Sequence, residues 1–385
     1  MGKLYTALGL MSGTSMDGVD ASIIKSDGER VYSPILDRYF EYGDKIRQKI
    51  LDIRAKILVP DHLIKHESEI KDIEREITLF HSNAVKEILN NNKIDVDLLG
   101  FHGQTIYHDS KERISKQLGD GKLLSQLTKK KVVYNFRQND LKNGGQGAPL
   151  TPIFHNLIAN KYLKEELNKS YSINVINIGG ISNITQTVKW DELGKKKNYI
   201  KACDVAPGNC LIDEWVRKKS KKRYDIDGSL AGIGKTDELI LNQALDNFDN
   251  RPDKNRLSFD TKDFDINFLR GVSFEDGAAT LTDLSGTIIA SGLFSLLSNK
   301  IDKSCKVLVS GGGRKNKSLV QNINSRISKN LVIETIDDFG VDGDYVESQA
   351  FAFLAIRSFL KLPISFPDTT GCKSPTTGGE VVKNF

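Results

Sequence analysis

The chain has 385 residues, and its 55 Lys and Arg against 50 Asp and Glu leave a net charge of only +5, which disfavours a nucleic-acid-binding protein. Four cysteines without a CxxC pair exclude a disulfide framework and a zinc ribbon, and no apolar run approaches the roughly 18 residues of a membrane-spanning helix. This composition predicts a multi-domain cytoplasmic protein with neither a nucleic acid nor a membrane as partner.

The first part of the chain predicts a mixed α/β domain. A small-residue turn, SGTSMDG, joins the first two predicted strands into a hairpin. Apolar residues spaced three and four apart predict a helix over 66–91. The other predicted elements are strands at 5–11, 19–25, 31–40, 94–101 and 132–136, a short helix near 121–130, and a Gly/Pro-rich loop at 141–152.

The second part repeats the opening of the first. Residues 172–188 again predict strand, Gly/Ser turn and strand, about one domain's length after the first hairpin. A strand that leads into three glycines follows at 306–316, and a helix is predicted at 346–360. We interpret the pattern as a duplication, with domains at 1–150 and 151–385 that pack across a cleft.

The two hairpin tips have the residues of a phosphate site. Glycines let the backbone approach an anion closely, and small hydroxyls and backbone N–H groups donate to it; Gly13, Thr14, Ser15 and Gly18 fit this description. Asp17 and Asp20 could hold Mg²⁺ directly or through water. An ordinary hairpin turn is the alternative, and the second tip and the run Gly311–Gly313 favour the phosphate site. Neither a Walker loop nor a GxGxxG fingerprint is present.

Further polar residues follow predicted strands. Asp204 is either a general base or the cap of the next helix, and Asn209 in the following turn is a candidate cleft contact. His102 and Gln104 follow another strand, where a structural histidine is the alternative. Arg137 and the loop GGQGAP suit a carboxylate or a sugar. Glu347 is either a partner of the helix dipole or a second cleft carboxylate.

Together these segments resemble one family, the anhydro-N-acetylmuramic acid kinases. The resemblance spans residues 8 to about 355. It departs from the family at Asn135, where an acid is usual, and at Val205 and Ala206, where Thr-Gly is usual. The matching segments, in the family's order, are GLMSGTSMDGVDAS, GFHGQTIYH, NFRQNDLKNGGQGAPLTP, NIGGISNIT, DVAPGNCLIDEW, YDIDGSLAGIGK, VSGGGRKN and VESQAFAFLA.

The resemblance implies an α/β fold with two ribonuclease-H-like domains of the sugar kinase/Hsp70/actin superfamily and ATP in the cleft between them. It implies that the enzyme opens 1,6-anhydro-N-acetylmuramic acid with water and phosphorylates O6, in the recycling of cell-wall peptidoglycan, with ATP and Mg²⁺. It also suggests a cytoplasmic homodimer. Another sugar kinase of the superfamily, or a nucleotide-dependent sensor without sugar chemistry, is the alternative.

The resemblance also implies roles for individual residues. Asp204 would be the catalytic base, and Glu347 would help to hold the attacking water. Asp17 and Asp20 would be the metal ligands. The nucleotide contacts would be Gly13, Thr14, Ser15, Met16, Asp17, Gly18, Val19, Asp20, Gly180, Gly311 and Gly312. The substrate contacts would be His102, Gln104, Arg137, Gly147 and Asn209.

Overall fold

The computed structural model describes residues 2–163, 172–190, 196–251, 258–297, 305–328 and 331–385. These residues form two compact units. Unit 1 runs to Leu157 and resumes at Tyr345–Phe385, and unit 2 is Ile158–Asp344. The sequence placed everything after residue 150 in a second domain. The structure instead returns the last forty or so residues to unit 1.

Unit 1 contains most of the predicted elements close to their expected bounds. Its strands are β1 (Tyr5–Ser12), β2 (Gly18–Ser26), β3 (Tyr32–Glu41), β4 (Leu98–Asp109), β5 (Ile114–Leu118), β6 (Lys131–Tyr134) and β12 (Glu380–Val382). Its helices are α1 (Asp44–Lys56), α2 (Asp61–Lys65), α3 (Glu67–Asn92), α4 (Gly121–Thr128), α5 (Gln138–Lys142), α6 (Pro152–Tyr162, which ends in unit 2), α12 (Val346–Phe359) and α13 (Pro367–Thr370).

The seven strands of unit 1 form one sheet, in which six are ordered β12-β6-β4-β1-β2-β3 and β5 pairs with β4. β1, β2 and β3 are antiparallel neighbours, whereas β4 runs parallel to β1 and β6 runs parallel to β4. Three antiparallel strands extended by two parallel ones are the ribonuclease-H-like arrangement that the family resemblance implies. The predicted helix at 66–91 is α3, and its buried face includes Ile70, Ile73 and Ile77.

Two glycines explain why the last long helix belongs to unit 1. A Cβ on Gly9 of β1 would lie 2.0 Å from the carbonyl oxygen of Ser348, and one on Gly100 of β4 would lie 2.3 Å from that of Phe351. Real Cβ atoms do not approach oxygen so closely, so α12 lies on the sheet only because both strands lack a side chain there. The helix is buried along almost its whole length.

Unit 2 repeats this topology. Its described strands are ordered β11-β10-β7-β8-β9, with β7, β8 and β9 antiparallel and β10 and β11 parallel to β7. The duplication is therefore confirmed by strand order and direction. The strands are β7 (Ser172–Ile178), β8 (Ile181–Trp190), β9 (Lys196–Pro207), β10 (Cys305–Ser310) and β11 (Ile333–Thr335). The described helices are α7 (Cys210–Lys219), α8 (Ser229–Ile233), α9 (Glu238–Asp249), α10 (Phe274–Leu297) and α11 (Lys317–Arg326).

The core of unit 2 is built around α10. Among the described helices, this one is long and apolar enough to cross a membrane by length and composition, with a mean hydropathy of 1.3 over its most apolar window. That window is 72% buried inside the protein. The helix packs with Ile176, Ile184 and Val307 of the sheet in one hydrophobic cluster. Its apolar character is therefore that of a core helix.

Candidate active site

The first hairpin tip, residues 13–17, connects β1 to β2. Met16 turns the chain with a φ of 55° and buries its side chain, and its N–H donates to the carbonyl of Gly13 at 3.3 Å. Thr14 and Ser15 remain exposed, and the Ser15 hydroxyl donates to Asp17 Oδ1 at 2.5 Å. The tip thus presents hydroxyls and a carboxylate, the groups that a hydrated cation with phosphate oxygens requires.

A buried network beneath the tip was not found from the sequence. The Tyr42 N–H donates to the carbonyl of Asp17 at 2.8 Å, and its hydroxyl lies 2.8 Å from Ser12 Oγ. Tyr42 therefore holds both ends of the tip. His81 Nε2 lies 3.4 Å from Ser12 Oγ, and its Nδ1 donates to the carbonyl of Ile77. Burial lowers the pKa of His81 to about 4, so the neutral ring is an acceptor for Ser12 at neutral pH.

Two carboxylates, Asp17 and Asp20, are half-buried near the tip. Asp17 is the last residue of the tip, and Asp20 lies on β2, opposite Met11 of β1 and Tyr39 of β3. Within the part of the chain that the structure describes, no three His, Cys, Asp or Glu side chains gather as a metal site. Two oxygen ligands fit Mg²⁺, which keeps several waters and takes its other ligands from phosphates.

His102 and Gln104 lie inside β4, and not beyond its end as expected. The strand is longer because β5 pairs antiparallel with residues 104–109 and extends it. Gln104 is fully buried, and its Nε2 donates to the carbonyl of Gly13 at 3.0 Å. This contact brings the motif FHGQT to the first tip.

His102 and Arg137 form a pair. The His102 Nδ1–H donates to the carbonyl of Gly103 at 2.7 Å, so Nε2 is the acceptor for Arg137 Nη2 at 2.9 Å. Burial, reinforced by the Arg137 charge, holds the pKa of His102 well below its usual value. Arg137 Nη1 also donates to the carbonyl of Gly147 at 2.7 Å. Three predicted substrate residues are thus brought together in unit 1.

Glu347 is the second residue of α12 and is half-buried. The buried residues after it fix this end of the helix. Ser348 Oγ lies 2.6 Å from Ser22 Oγ of β2, and Gln349 Nε2 donates to the carboxylate of Asp37 of β3 at 3.0 Å. These contacts anchor the first turn, and with it the position of Glu347, to the sheet.

The second hairpin tip consists of Gly179 and Gly180 and is tied to the start of α7. The Gly208 N–H donates to the carbonyl of Gly180 at 2.9 Å, and the Asn209 N–H donates to that of Gly179 at 2.8 Å. A Cβ on Gly208 would lie 2.3 Å from the Gly179 oxygen. Glycine is required there by this close approach, which brings Gly180 and Asn209 together.

Asp204 lies near the end of β9, opposite Asn183 of β8, and is 9% exposed. Its Oδ2 accepts the backbone N–H of Phe259 at 2.9 Å. The N-cap of α7 is Asn209, so Asp204 is not the cap residue of that helix, which the sequence left open. The carboxylate is thus buried and oriented by a backbone donor on a distant segment.

The glycine run after β10 is the third glycine feature of unit 2. Gly311 has a φ of +79°, and its N–H donates to the carbonyl of Gly343 at 3.2 Å. A Cβ on Gly313 would lie 2.9 Å from Asn209 Nδ2, whereas one on Gly312 would meet nothing within 4 Å. Bare backbone is therefore open at Gly312, and the run lies beside the second tip.

Arg314 holds the glycine run in place. Its Nη1 donates to the carbonyl of Gly311 at 3.1 Å and to Asp344 at 2.6 Å, and its other nitrogens bind both oxygens of Asp337. The hydrogen bond from Arg314 lowers the pKa of Asp337. Arg314 could not be singled out from the sequence, since its carboxylate partners Asp337 and Asp344 lie more than twenty residues away.

A cavity of about 290 Å³ lies in unit 2 among α8, α10 and α11. Two of its lining residues, Thr282 and Asn322, have a buried side-chain oxygen without a hydrogen-bond partner among the described residues. The lining contains only small, hydroxyl and amide residues: Ala231, Gly232, Gly234, Thr236, Ala279, Thr282, Ser318, Gln321, Asn322 and Ser325.

The cysteines near Asp204 are not nucleophiles. Burial raises the pKa of Cys203 to about 11, and it also raises that of Cys210. Both thiols are therefore protonated at neutral pH. Both side chains pack against the hydrophobic cluster of unit 2.

The candidate residues thus fall into one group in each unit. Unit 1 holds the first tip, His102, Gln104, Arg137, Gly147 and Glu347, and unit 2 holds Gly180, Asp204, Asn209, Gly311 and Gly312.

Comparison with known proteins gives matches over the whole chain. The family model described as anhydro-N-acetylmuramic acid kinase matches residues 5–384. A relative named anhydro-N-acetylmuramic acid kinase from Pelagibacter ubique is 53% identical over 100% of both chains. A relative of the same name from Zymomonas mobilis is 36% identical over 97% of this chain and 99% of its own.

Solved structures resemble the chain only distantly. The activator of the 2-hydroxyisocaproyl-CoA dehydratase from Clostridium difficile, with bound ADPNP, is 10% identical and has a TM-score of 0.40. That match covers 92% of this chain and 96% of the other. The fold assignment rests on the strand order of the two sheets.

Proposed function

The chain belongs to the anhydro-N-acetylmuramic acid kinase family and is a kinase, and from that premise we propose its reaction. Water opens the 1,6-anhydro bond of 1,6-anhydro-N-acetylmuramic acid, and O6 takes the γ-phosphoryl group of ATP. The products are N-acetylmuramic acid 6-phosphate and ADP. The observation that carries the proposal is Asp204, a buried carboxylate with one oxygen held by the Phe259 N–H.

Asp204 is the general base in this proposal. With Oδ2 held by a backbone donor, the carboxylate is oriented to take the proton of the water that attacks the anomeric carbon. Glu347, fixed by the anchored first turn of α12, helps to hold that water. The C1–O6 bond breaks as the water adds, and O6 then attacks the γ-phosphorus with departure of ADP. Positioning and charge stabilisation account for most of the catalysis in such transfers.

The glycine tips bind the nucleotide phosphates. Backbone N–H groups and hydroxyls of the first tip, together with Gly180, donate to phosphate oxygens. Bound Mg²⁺ would neutralise phosphate charge, and Asp17 and Asp20 would hold it, directly or through water. The nucleotide contacts in unit 1 are Gly13, Thr14, Ser15, Met16, Asp17, Gly18, Val19 and Asp20.

The nucleoside part of ATP is assigned to unit 2. Gly312 presents open backbone, and Gly311 is held by Arg314. The 290 Å³ cavity suits the adenine base, because its lining is uncharged and offers hydroxyl and amide groups. Filling it with the Ala279→Leu substitution should raise the KM for ATP and leave that for the sugar unchanged.

Substrate recognition is assigned to Arg137, Gly147 and Asn209. Arg137 faces the lactyl carboxylate, which a guanidinium binds in two-pronged fashion. His102 has both ring nitrogens engaged and Gln104 is fully buried. We assign these two the task of holding Arg137 and the Gly13 backbone.

We also propose a homodimer that works in the bacterial cytoplasm without a nucleic acid or a membrane. The family resemblance supports the dimer and the compartment, and the small dispersed net charge supports the lack of a nucleic-acid partner. Analytical ultracentrifugation at several protein concentrations tests the dimer.

The reaction is tested with the purified protein, ATP, Mg²⁺ and the anhydro-sugar in ¹⁸O-labelled water. Mass spectrometry should find a 6-phosphosugar with the label at the anomeric carbon. Asp204→Asn should abolish both hydrolysis and phosphorylation, whereas Asp246→Asn, at an exposed position of α9, should not. An unlabelled phosphosugar would exclude coupled hydrolysis, and ATP binding without any sugar product would favour a nucleotide sensor.

A further inference from the structure

A chain of hydrogen bonds connects the C-terminal segment, residues 366–377, to Arg137. The Thr370 hydroxyl donates to Asp140 Oδ1 at 2.6 Å, and Asp140 Oδ2 accepts the Gly147 N–H at 2.7 Å. The Gly147 carbonyl in turn accepts Arg137 Nη1 at 2.7 Å. Thr370 and Asp140 are 0% and 1% exposed, so water does not compete for these bonds.

The Gly/Pro-rich loop 141–152 packs tightly around the Asp140 carboxylate. A Cβ on Gly145 would lie 2.2 Å from Asp140 Oδ2, and Gly147 has a φ of +75° that favours glycine. The N–H of Gly147 is held by Asp140 while its carbonyl holds Arg137. A shift of the carboxylate would therefore move the carbonyl that orients the guanidinium.

The C-terminal segment 366–377 also holds helix α5 and the loop that follows it at further points. The Gln146 N–H donates to the carbonyl of Thr370 at 2.8 Å, and the Lys373 N–H donates to that of Asn143 at 3.1 Å. Asn139 Nδ2 donates to the carbonyl of Thr377 at 2.5 Å. Loop and segment thus form one hydrogen-bonded assembly within unit 1, although they are distant in sequence.

The far side of Arg137 is fixed as well, because Nη2 donates to the neutral His102 ring. Two acceptors, the Gly147 carbonyl and His102 Nε2, therefore set the plane of the guanidinium. The plane matters because an arginine binds a carboxylate through a rigid planar fork. A change in either acceptor would therefore change the orientation of the fork.

From this arrangement we propose that Thr370 and Asp140 are positioning residues for sugar binding, acting through Gly147 on Arg137. The inference rests on the proposed role of Arg137 toward the substrate carboxylate. It assigns to the C-terminal segment a part in substrate recognition without substrate contact.

The test is steady-state kinetics of full-length variants. Thr370→Val removes the hydroxyl at nearly constant shape, and it should raise the KM for the anhydro-sugar roughly tenfold, the effect of one lost charge-assisted hydrogen bond. The KM for ATP should stay unchanged. Thr370→Ser, which keeps the hydroxyl, should restore the sugar KM. Asn139→Ala is the control and should keep the wild-type sugar KM, since it removes a contact between α5 and the segment that does not involve Asp140.

A double variant decides whether Thr370 acts through Arg137. If it does, Thr370→Val combined with Arg137→Ala should bind sugar no worse than Arg137→Ala alone. Independent, additive losses would overturn the inference, and so would an unchanged sugar KM in Thr370→Val. If Arg137→Ala itself leaves the sugar KM unchanged, the proposed role of Arg137 is wrong and the inference falls with it. Should Thr370→Val fail to fold, Asp140→Asn takes its place with the same criteria.

Discussion

Mild acid should destabilise unit 1, because three of its histidines are buried in the neutral form. Burial lowers the pKa of His81 and His155 to about 4. Burial and the Arg137 charge hold that of His102 well below its usual value. In the unfolded chain each ring takes up a proton below about pH 6.5. Above pH 6.5 the rings are neutral in both states, so their burial does not change the free energy of unfolding with pH. As the pH falls from 6.5 towards 4, protonation of the unfolded chain lowers the free energy of unfolding.

The size of the effect follows from linkage. At pH 5 the unfolded rings of His81 and His155 are almost fully protonated, and the folded rings are almost neutral. Each then lowers the free energy of unfolding by about 2 kcal/mol relative to pH 8, or about 4 kcal/mol for the pair. A loss of this size is large beside the 5–15 kcal/mol or so that holds a typical domain together.

Both described tryptophans, Trp190 and Trp215, lie in unit 2, so their fluorescence does not report on unit 1. Hydrogen exchange of peptides from β1 and β4, measured by mass spectrometry from pH 8 to 5 and corrected for intrinsic rates, gives the opening free energy of unit 1. His81→Gln should reduce the pH dependence of this opening free energy by about 1.4 kcal/mol per pH unit below pH 6. His62→Gln, in the surface helix α2, is the control. The account would be refuted if the opening free energy of His81→Gln kept the pH dependence of the wild-type protein. It would also be refuted if the opening free energy of the wild-type protein did not change with pH.

Three further substitutions test the geometry of the site. Tyr42→Phe removes the hydroxyl bonded to Ser12 and should raise the KM for ATP by roughly five- to tenfold with the sugar KM unchanged, as steady-state kinetics would show; an equal rise in both would argue against a role at the first tip. Gly9→Ala should cost about 3 kcal/mol or more in chemical denaturation, since its Cβ would meet α12, whereas Gly43→Ala, with open space, should cost little. Arg314→Lys keeps the charge but loses the two-pronged contact with Asp337, so the KM for ATP should rise about tenfold; wild-type kinetics would show that the glycine run needs no such support.

The glycine tips and the duplication could be predicted from the sequence because their signals are local. A strand, a small-residue turn and a second strand are contiguous in the chain at both tips. The prediction of a phosphate site at Gly13–Asp20 rests on residue type alone. Asp204 was placed near the end of its strand for the same reason, and the structure places it there.

The misplaced features depend on contacts between distant residues. His102 and Gln104 were put beyond a strand because the pairing of β5 with the end of β4 has little apolar signal in ISKQL. The domain boundary was wrong for α12 because two isolated glycines, Gly9 and Gly100, allow this helix to pack on the sheet of unit 1. The long helix α10 was not predicted, since it is buried on nearly all sides and lacks an amphipathic period.

The discontinuous course of unit 1 has a consequence for the order in which the newborn chain acquires its structure. Unit 2 is continuous in sequence and is complete once the ribosome has passed Asp344. Unit 1 begins first but needs α12 to cover β1 and β4, and β12 to extend β6 at the sheet edge. The apolar face of its sheet therefore remains exposed while unit 2 is translated. During that interval the exposed face is a binding site for chaperones.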